Sequence, residues 1–472
     1  MSASKHIWIV NPFDQLPNES NIPLRFWSLS KVLAKEGYKV TWWSSDFSHR
    51  NKIKRLHCPD TDGFSIRLIK TPPYKNNTSL RRLKSHFIFS NNFYREAISK
   101  FKDKTLSKPF RIVVSLPPLG LAESAYKIKQ YINERIKNRN ENYSNLSCQV
   151  IIDIMDVWPE VFYRLFPEKI KNYIAPILLY PFHHSAKVAY QKADKISAVS
   201  RGYLKVAKNY LSTSQKILFR PKILRREETS KPMHLCYHGV DLNRFKPEKI
   251  KNRLIKYDKF IKKLKLIKSE KYRSAVVDQI NLKLVYIGAM NSGYDLKTII
   301  RVLEKWKNNN QISLEVHFAG NGNQLKNLKI ISKNLGLLED NENKIRKYKI
   351  IFHQYLNNDE LNNLLITSDI ALVANRPETL VACPYKAGEY AGAGLPMISC
   401  LDGEFNKLIL SWDAGLIYKQ DCVQSLYNSI KKYADNFTLL KKHNLNSRKL
   451  AENLFDRKKT YKNFAKFITN DI

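Results

Sequence analysis

The chain has 472 residues, more than the roughly 250–300 that one hydrophobic core ordinarily serves, so two domains are expected. Hydrophobic residues at 43% and aromatics at 11% exclude a disordered chain, and 15 Gly and 19 Pro exclude a collagen-like or Pro-rich one. The 81 Lys and Arg against 42 Asp and Glu leave a net charge of +39, which implies an anionic partner.

In chain order, Met1–Lys5 leads directly into a strand-like run, His6–Val10, without the apolar core or cleavage site of a secretory signal. Further strand candidates in the first half are Lys39–Trp43, Phe64–Leu68, Ile112–Ser115, Val150–Ile154 and Lys195–Val199. Those of the second half are Lys283–Ile287, Leu314–Phe318, Lys349–Phe352, Ile370–Val373, Pro396–Ser399 and Gly415–Ile417. Amphipathic stretches separate them throughout, the pattern of parallel βαβ units. The expected fold class is therefore α/β, with two Rossmann-like domains whose parallel sheets face a central cleft. A Gly- and Pro-bounded segment, His238–Pro247, sets the boundary: 1–245 for the first domain, 246–445 for the second, and 446–472 for a terminal helix packing back on the first.

Lys249–Arg273 reads as a basic amphipathic helix, with Tyr257, Phe260, Ile261, Leu264 and Ile267 at helical spacing. Cys58, Cys148, Cys236, Cys383, Cys400 and Cys422 are scattered without CxxC spacing and read as buried thiols of a reducing compartment. No window reaches the roughly 18–20 apolar residues of a spanning helix; the nearest, Tyr173–Phe182, carries two prolines. A cytoplasmic protein is expected, or one lying on a membrane without crossing it.

The segment most informative about chemistry is Ala374–Cys400. A loop holding Pro384, Tyr385 and Lys386 runs into a helix with Glu389 in its first turn, and Gly392 and Gly394 end it before a strand. A helix start favours an anion such as a nucleotide diphosphate, Lys386 adds a point charge, and Glu389 can accept hydrogen bonds from ribose hydroxyls. The alternative is an ordinary loop, helix and strand in which Lys386 and Glu389 form a surface pair.

The run Pro384-x-Lys386-x-x-Glu389-Tyr390-x-x-x-Gly394-x-Pro396 resembles the nucleotide-sugar signature of the retaining GT-B glycosyltransferases of family 4. Other segments fall in the same order as in that family: Ala193–Ser200, His238–Asp241 with Arg244-Phe245 and Pro247, Tyr286–Gly288, Ala319–Gly322 and Ser368–Ile370. Ser115–Pro118 and Asp153–Glu160, with its Trp-Pro-Glu motif, are similar to a subgroup acting in capsule and O-antigen assembly. The resemblance implies an N-terminal acceptor domain and a C-terminal nucleotide-sugar domain. It implies transfer of a hexosyl or acetamidohexosyl unit, with retention, from a UDP-linked sugar to a lipid-linked acceptor such as a polyprenyl diphosphate.

By that resemblance Glu389 holds the ribose, Lys386 faces the donor, and Gly288 with the loop through Asn291 lets backbone amides approach the diphosphate. Gly320 and Asn321 match a turn near the base, and Arg25 a position close to donor phosphate or acceptor. Three departures stand out. Val381 occupies the place of the first glutamate of the family's pair, with Glu378 the candidate substitute; Ala289–Asp295 lacks the usual Arg and Lys; and Asp156 stands where better-known relatives carry a histidine. Asp156 is read either as the group that positions or deprotonates the acceptor hydroxyl or as a cap on the turn before Trp158.

No cofactor is expected, since the nucleotide sugar is a substrate, and no metal, since Asp153 and Asp156 do not form an Asp-x-Asp site. Two basic aromatic stretches, Leu80–Phe89 and Tyr163–Tyr190, are candidates for an anionic membrane surface, against the alternative of core-facing helices with solvated rims. That assigns the protein to the inner face of the plasma membrane. The competing classes are a GT-B-shaped sugar-nucleotide epimerase and a basic nucleic-acid-binding protein. The second is disfavoured because the lysines are spread along the chain and no recognition motif for nucleic acid is present.

Overall fold

The computed structural model describes residues 5–20, 24–59, 61, 63–137, 147–212, 231–266, 280–307, 312–338 and 348–470. The chain divides into two compact units, Met1–Tyr237 with Lys458–Ile472, and His238–Arg457. The division falls before His238 and not after residue 245, because His238–Phe245 packs within the second unit. The Val240 amide donates to the Phe455 carbonyl at 2.7 Å, Arg457 donates back to Val240 at 3.0 Å, and the Phe245 ring lies over Gly392. The end of the chain divides as well: 446–457 stays with the second unit, and Lys458–Ile472 joins the first.

The first unit holds seven strands: β1 (His6–Val10), β2 (Lys39–Ser45), β3 (Ser65–Ile69), β4 (Pro109–Leu116), β5 (Gln149–Ile154), β6 (Lys195–Ala198) and β7 (Met233–Leu235). They form one parallel sheet in the order β3-β2-β1-β4-β5-β6-β7. Its helices are α1 (Arg25–Lys35), α2 (Leu80–Lys102), α3 (Leu119–Lys137), α4 (Glu168–Lys171), α5 (Ile174–Lys192) and α6 (Arg201–Ser212). The central strands are buried on both faces, which is why they read as continuous apolar runs.

The second unit holds β8 (Asn281–Ile287), β9 (Ser313–Ala319), β10 (Tyr348–His353), β11 (Ile370–Val373), β12 (Met397–Ser399) and β13 (Gly415–Ile417). They are also parallel, ordered β10-β9-β8-β11-β12-β13. Its helices are α7 (Pro247–Leu266), α8 (Leu296–Trp306), α9 (Leu325–Asn334), α10 (Asn358–Thr367), α11 (Tyr385–Gly392), α12 (Glu404–Ser411), α13 (Val423–Ala434) and α14 (Phe437–Leu450). Helix α8 shows how pattern becomes packing: Leu296, Ile299, Ile300, Leu303 and Trp306 recur at helical spacing and are all fully buried in this unit's core. Tyr257 of α7 is buried in the same core. The expected continuation of α7 through Ile267 to Arg273 lies outside the described residues.

Each sheet reverses its strand order beside its first strand, between β1 and β4 and between β8 and β11. Ligands of such sheets sit at the carboxyl ends of the strands flanking that point. The last helix, α15 (Arg457–Thr469), enters the first unit's core through Tyr461, Phe464 and Ile468, beside Phe26, Leu29 and Leu33. Each such burial contributes about 1.5–3 kcal/mol, which holds the terminal helix to this unit. The cysteines are free; Cys148, Cys236 and Cys400 are buried, but Cys58, expected to be buried, is exposed in the connection between β2 and β3. Among the described residues no helix is long and apolar enough to cross a membrane.

Candidate functional site

In the second unit the loops after β8, β9 and β11 meet at the switch point. Gly288, with φ 153°, turns the chain out of β8 and donates to the Ala319 carbonyl at 3.0 Å. Gly320 and Gly322 follow β9 so closely that a Cβ on Gly320 would stand 1.9 Å from the Gly288 carbonyl oxygen, and one on Gly322 would stand 2.2 Å from that of Met290. The two loops are thus packed backbone on backbone, and only glycine fits. Asn291 and Asn321 are turn-makers: Asn291 Oδ1 accepts from the Gly293 amide at 3.1 Å and Asn321 Oδ1 from Gly322 at 2.7 Å. The β11 loop is tied to the first by Asp295 donating to Ala374 at 2.8 Å and Arg376 donating to Gly293 at 3.0 Å.

That third loop delivers Pro384, which precedes α11 and offers its helix start no side-chain cap. Glu389 is 3% exposed. Its Oε2 receives Lys386 Nζ at 3.2 Å and its Oε1 receives Arg244 Nη1 at 3.2 Å. Burial opposes ionisation, but the Lys386 ammonium and Arg244 guanidinium outweigh it and hold the Glu389 carboxyl below the usual range. Lys386 is part-exposed, so its ammonium can meet a ligand at the helix start. Tyr385 packs edge-on against His238, while the Tyr390 hydroxyl accepts the Ile287 amide at 2.7 Å and fixes α11 to the end of β8.

Arg244, a motif member in the sequence, gains a partner through the fold. Its second contact, Nη2 to Asn362 Oδ1 at 2.8 Å, aims it at Glu389. Glu378 is exposed, and its carboxylate meets Gln420 Nε2 at 3.4 Å; no described polar contact joins it to Glu389 or Lys386. Arg376 beside it stands against the β8 loop, which has no cation of its own. Its guanidinium forks onto Asp421 at 2.6 and 2.7 Å and lies 3.5 Å from Asp295.

In the first unit Arg25, expected close to donor phosphate or acceptor, is buried in an ion pair. Its Nε and Nη2 donate to the two Asp153 oxygens at 2.7 and 2.8 Å and its Nη1 to the Cys236 carbonyl at 2.9 Å. The guanidinium also stacks on Phe464. Asp153, weighed in the sequence only as half of a metal site, is fully buried and accepts from Ser197 as well. Among the described residues no cluster of His, Cys, Asp and Glu is placed to hold a metal ion.

Asp156 follows β5 and accepts the Val157 amide at 2.9 Å, so it does cap the turn before Trp158. Burial raises its pKa against the opposing pull of that amide, Arg164 and Arg82. It also lines a cavity of about 380 Å³ together with Arg82, Trp158 and Arg164. Both basic aromatic stretches singled out in the sequence contribute to this one cavity.

Residues 268–450 match the family profile described as "Glycosyl transferases group 1". No curated protein matches the chain at a significant level. Among solved structures, the chain is similar to sucrose-phosphate synthase from Thermosynechococcus elongatus, at 12% identity over 98% of both chains with a TM-score of 0.62. It is similar to Anabaena Alr3699/HepE in complex with UDP, at 12% identity over 98% of both chains with a TM-score of 0.57. It is also similar to WaaG, a glycosyltransferase involved in lipopolysaccharide biosynthesis, at 13% identity over 98% of this chain and 100% of that one with a TM-score of 0.52. These likenesses identify the architecture as GT-B, two Rossmann-like units with parallel sheets.

Proposed function

We propose that the protein is a retaining glycosyltransferase of the family 4 type that moves a sugar from a UDP-linked donor to a membrane-held, lipid-linked acceptor in bacterial surface polysaccharide synthesis. The observation that carries this reading is the buried Glu389 carboxylate, kept ionised by Lys386 and Arg244 beside the uncapped start of α11 at the switch point of the second sheet. A carboxylate so held can accept ribose hydroxyl hydrogen bonds, and the adjoining helix start can receive a diphosphate. The family profile covers 268–450, within this unit, HepE was solved with UDP, and WaaG acts in lipopolysaccharide synthesis.

In this reading the Gly288 and Gly320 loops, with Asn291 and Asn321, bring backbone close to the nucleotide, and Pro384 and Tyr385 shape the helix start. Lys386 turns from Glu389 to the diphosphate as the leaving group gains charge, which is stabilisation without covalent chemistry. Glu378, at the exposed rim, reaches the donor sugar in place of the glutamate absent at Val381. Asp156 takes a hydrogen bond from the acceptor hydroxyl and receives its proton, and Arg25 holds Asp153 at the end of the neighbouring β5. The +39 charge suits attachment to the anionic inner face of the plasma membrane.

The test is a thermal-shift screen across UDP-, GDP- and dTDP-sugars. At one hundred times its Kd a ligand adds about 2.7 kcal/mol to the state it binds, a shift of about 5–11 °C for a unit of this size. UDP-sugars are expected to give that shift. Failure of every nucleotide sugar to move the transition refutes the reading.

A further inference from the structure

We propose that the first unit's cavity beside Asp156 binds the phosphate end of a single-chain lipid. The proposal rests on the reading of the chain as a transferase for a lipid-linked acceptor, and adds where that acceptor is gripped and by which side chains. The cavity, about 380 Å³, lies within the range of small-molecule sites, about 300–1,000 Å³. Its walls are mainly apolar, built by Leu83, Val161, Phe162, Phe166, Leu179 and Phe182, with the polar run 77–79 on one stretch. Two cations, Arg82 and Arg164, and a single acid, Asp156, are set into them. A hydrocarbon alone would leave two guanidiniums to share the one carboxyl of Asp156, and a free sugar phosphate would leave the walls uncovered. A molecule with a phosphate at one end and a hydrocarbon chain at the other satisfies both.

Arg82 is built into place and not merely displayed. It follows the Ser79 cap of α2, in a first turn that contains no acid, donates Nη1 to the Asn77 carbonyl at 2.7 Å and Nε to His86 at 3.2 Å, and stacks over Phe13 and Trp158. Burial pushes the His86 ring down to about 3, so it is neutral and accepts that bond. Arg82's own burial disfavours its charge, a cost that a phosphate in the cavity would offset. Arg164, which also lines the cavity, has an exposed side chain.

The surroundings point to a bilayer as the source of the ligand. Leu80 and Leu165, which line the cavity, are 83% and 55% exposed. Helix α5 turns Leu179 and Phe182 inward to the wall, while Ile174, Ile177, Leu178 and Tyr180 of the same helix, with Tyr173 before it, are exposed. A ligand arriving from water would give that apolar face no task; one drawn from a membrane enters past it.

The experiment is equilibrium binding to the full chain by calorimetry, with farnesyl phosphate, farnesol, inorganic phosphate and UDP as separate ligands. Farnesyl phosphate is expected to bind at least tenfold more tightly than farnesol or phosphate. Arg164→Gln, on an exposed side chain, is expected to weaken it at least fivefold and leave farnesol unchanged. Val161→Trp, which fills the cavity without altering charge, is expected to weaken both farnesyl ligands; if that variant does not fold, Arg164→Gln decides. Farnesyl phosphate binding no tighter than farnesol or phosphate, or untouched by Arg164→Gln, overturns the proposal. UDP bound without farnesyl phosphate overturns it alone, whereas loss of both also overturns the transferase reading.

Discussion

Arg244→Met isolates the electrostatic centre of the proposed donor site. In the wild type the Glu389 carboxylate, 3% exposed, is shared between Arg244 and Lys386 at 3.2 Å each. The methionine keeps most of the side-chain volume but leaves Glu389 one partner, and that partner is part-exposed. Removing one member of a fully buried pair costs about 3–5 kcal/mol. With Arg244 itself 12% exposed and Lys386 still in place, roughly 3 kcal/mol is expected, at the lower end of that range. For a unit of this size that is about 6–12 °C in its melting transition. Adding Glu389→Gln removes the stranded charge, so the double variant should recover much of the loss, with a coupling of at least about 1.5 kcal/mol in the double-mutant cycle. Calorimetric melting of the four proteins checks this. A single variant within about 2 °C of wild type, or strictly additive losses, would show that the Arg244–Glu389 contact is incidental.

Gly320→Ala drives a Cβ to 1.9 Å from the Gly288 carbonyl, and overpacking together with positive-φ strain should cost at least about 3 kcal/mol; UDP binding and the second unit's transition report it together. Arg25→Met strands the fully buried Asp153 and should destabilise the first unit by about 3–5 kcal/mol, with Arg25→Met/Asp153→Leu regaining most of it in urea unfolding. As the proposed base for the acceptor hydroxyl, Asp156, whose pKa burial raises, would act when ionised, so kcat/KM should rise with pH through a value above the ordinary aspartate pKa of about 4, and Asp156→Asn should abolish that acid limb. For stability the sign at Glu389 is opposite to that of a raised carboxyl. Its folded-state pKa is depressed, so its contribution is complete above the ordinary glutamate value of about 4.3 and is lost as pH falls below it. The gap in melting temperature between wild type and Glu389→Gln should therefore narrow on acidification.

The strands were legible because buried parallel strands are short, apolar and β-branched, and twelve runs chosen that way correspond to strands. Strand β7 escaped because its three residues, Met233–Leu235, lie at the sheet edge and are only partly buried, so no alternation or apolar run marks them. The loop proposed to hold the donor was legible for a similar reason: Pro384, Lys386 and Glu389 are local in sequence, and one helix start brings them together. Arg244 and Asn362 lie far from Glu389 along the chain, and no local pattern announces such a contact. The resemblance places Arg25 close to donor phosphate or acceptor, and nothing local in the sequence announces its ion pair. Its carboxylate partner is 128 positions away, and the rings that cover it come from the last helix. The cavity was half legible: each basic aromatic stretch stood out, but their convergence is a property of the fold.

The central claim is that the carboxyl end of the second sheet, around Glu389 and Lys386, holds the nucleotide of a sugar donor. Its most direct test is sugar transfer from a UDP-sugar to a polyprenyl-diphosphate-linked acceptor by wild type, Glu389→Ala and Lys386→Ala, with UDP affinity measured on the same proteins. Loss of a charge-assisted hydrogen bond to a ligand corresponds to about 1.5–3 kcal/mol, roughly tenfold or more in UDP affinity for each variant, and transfer should fall at least as far. Transfer and UDP affinity left intact in both variants would contradict the account.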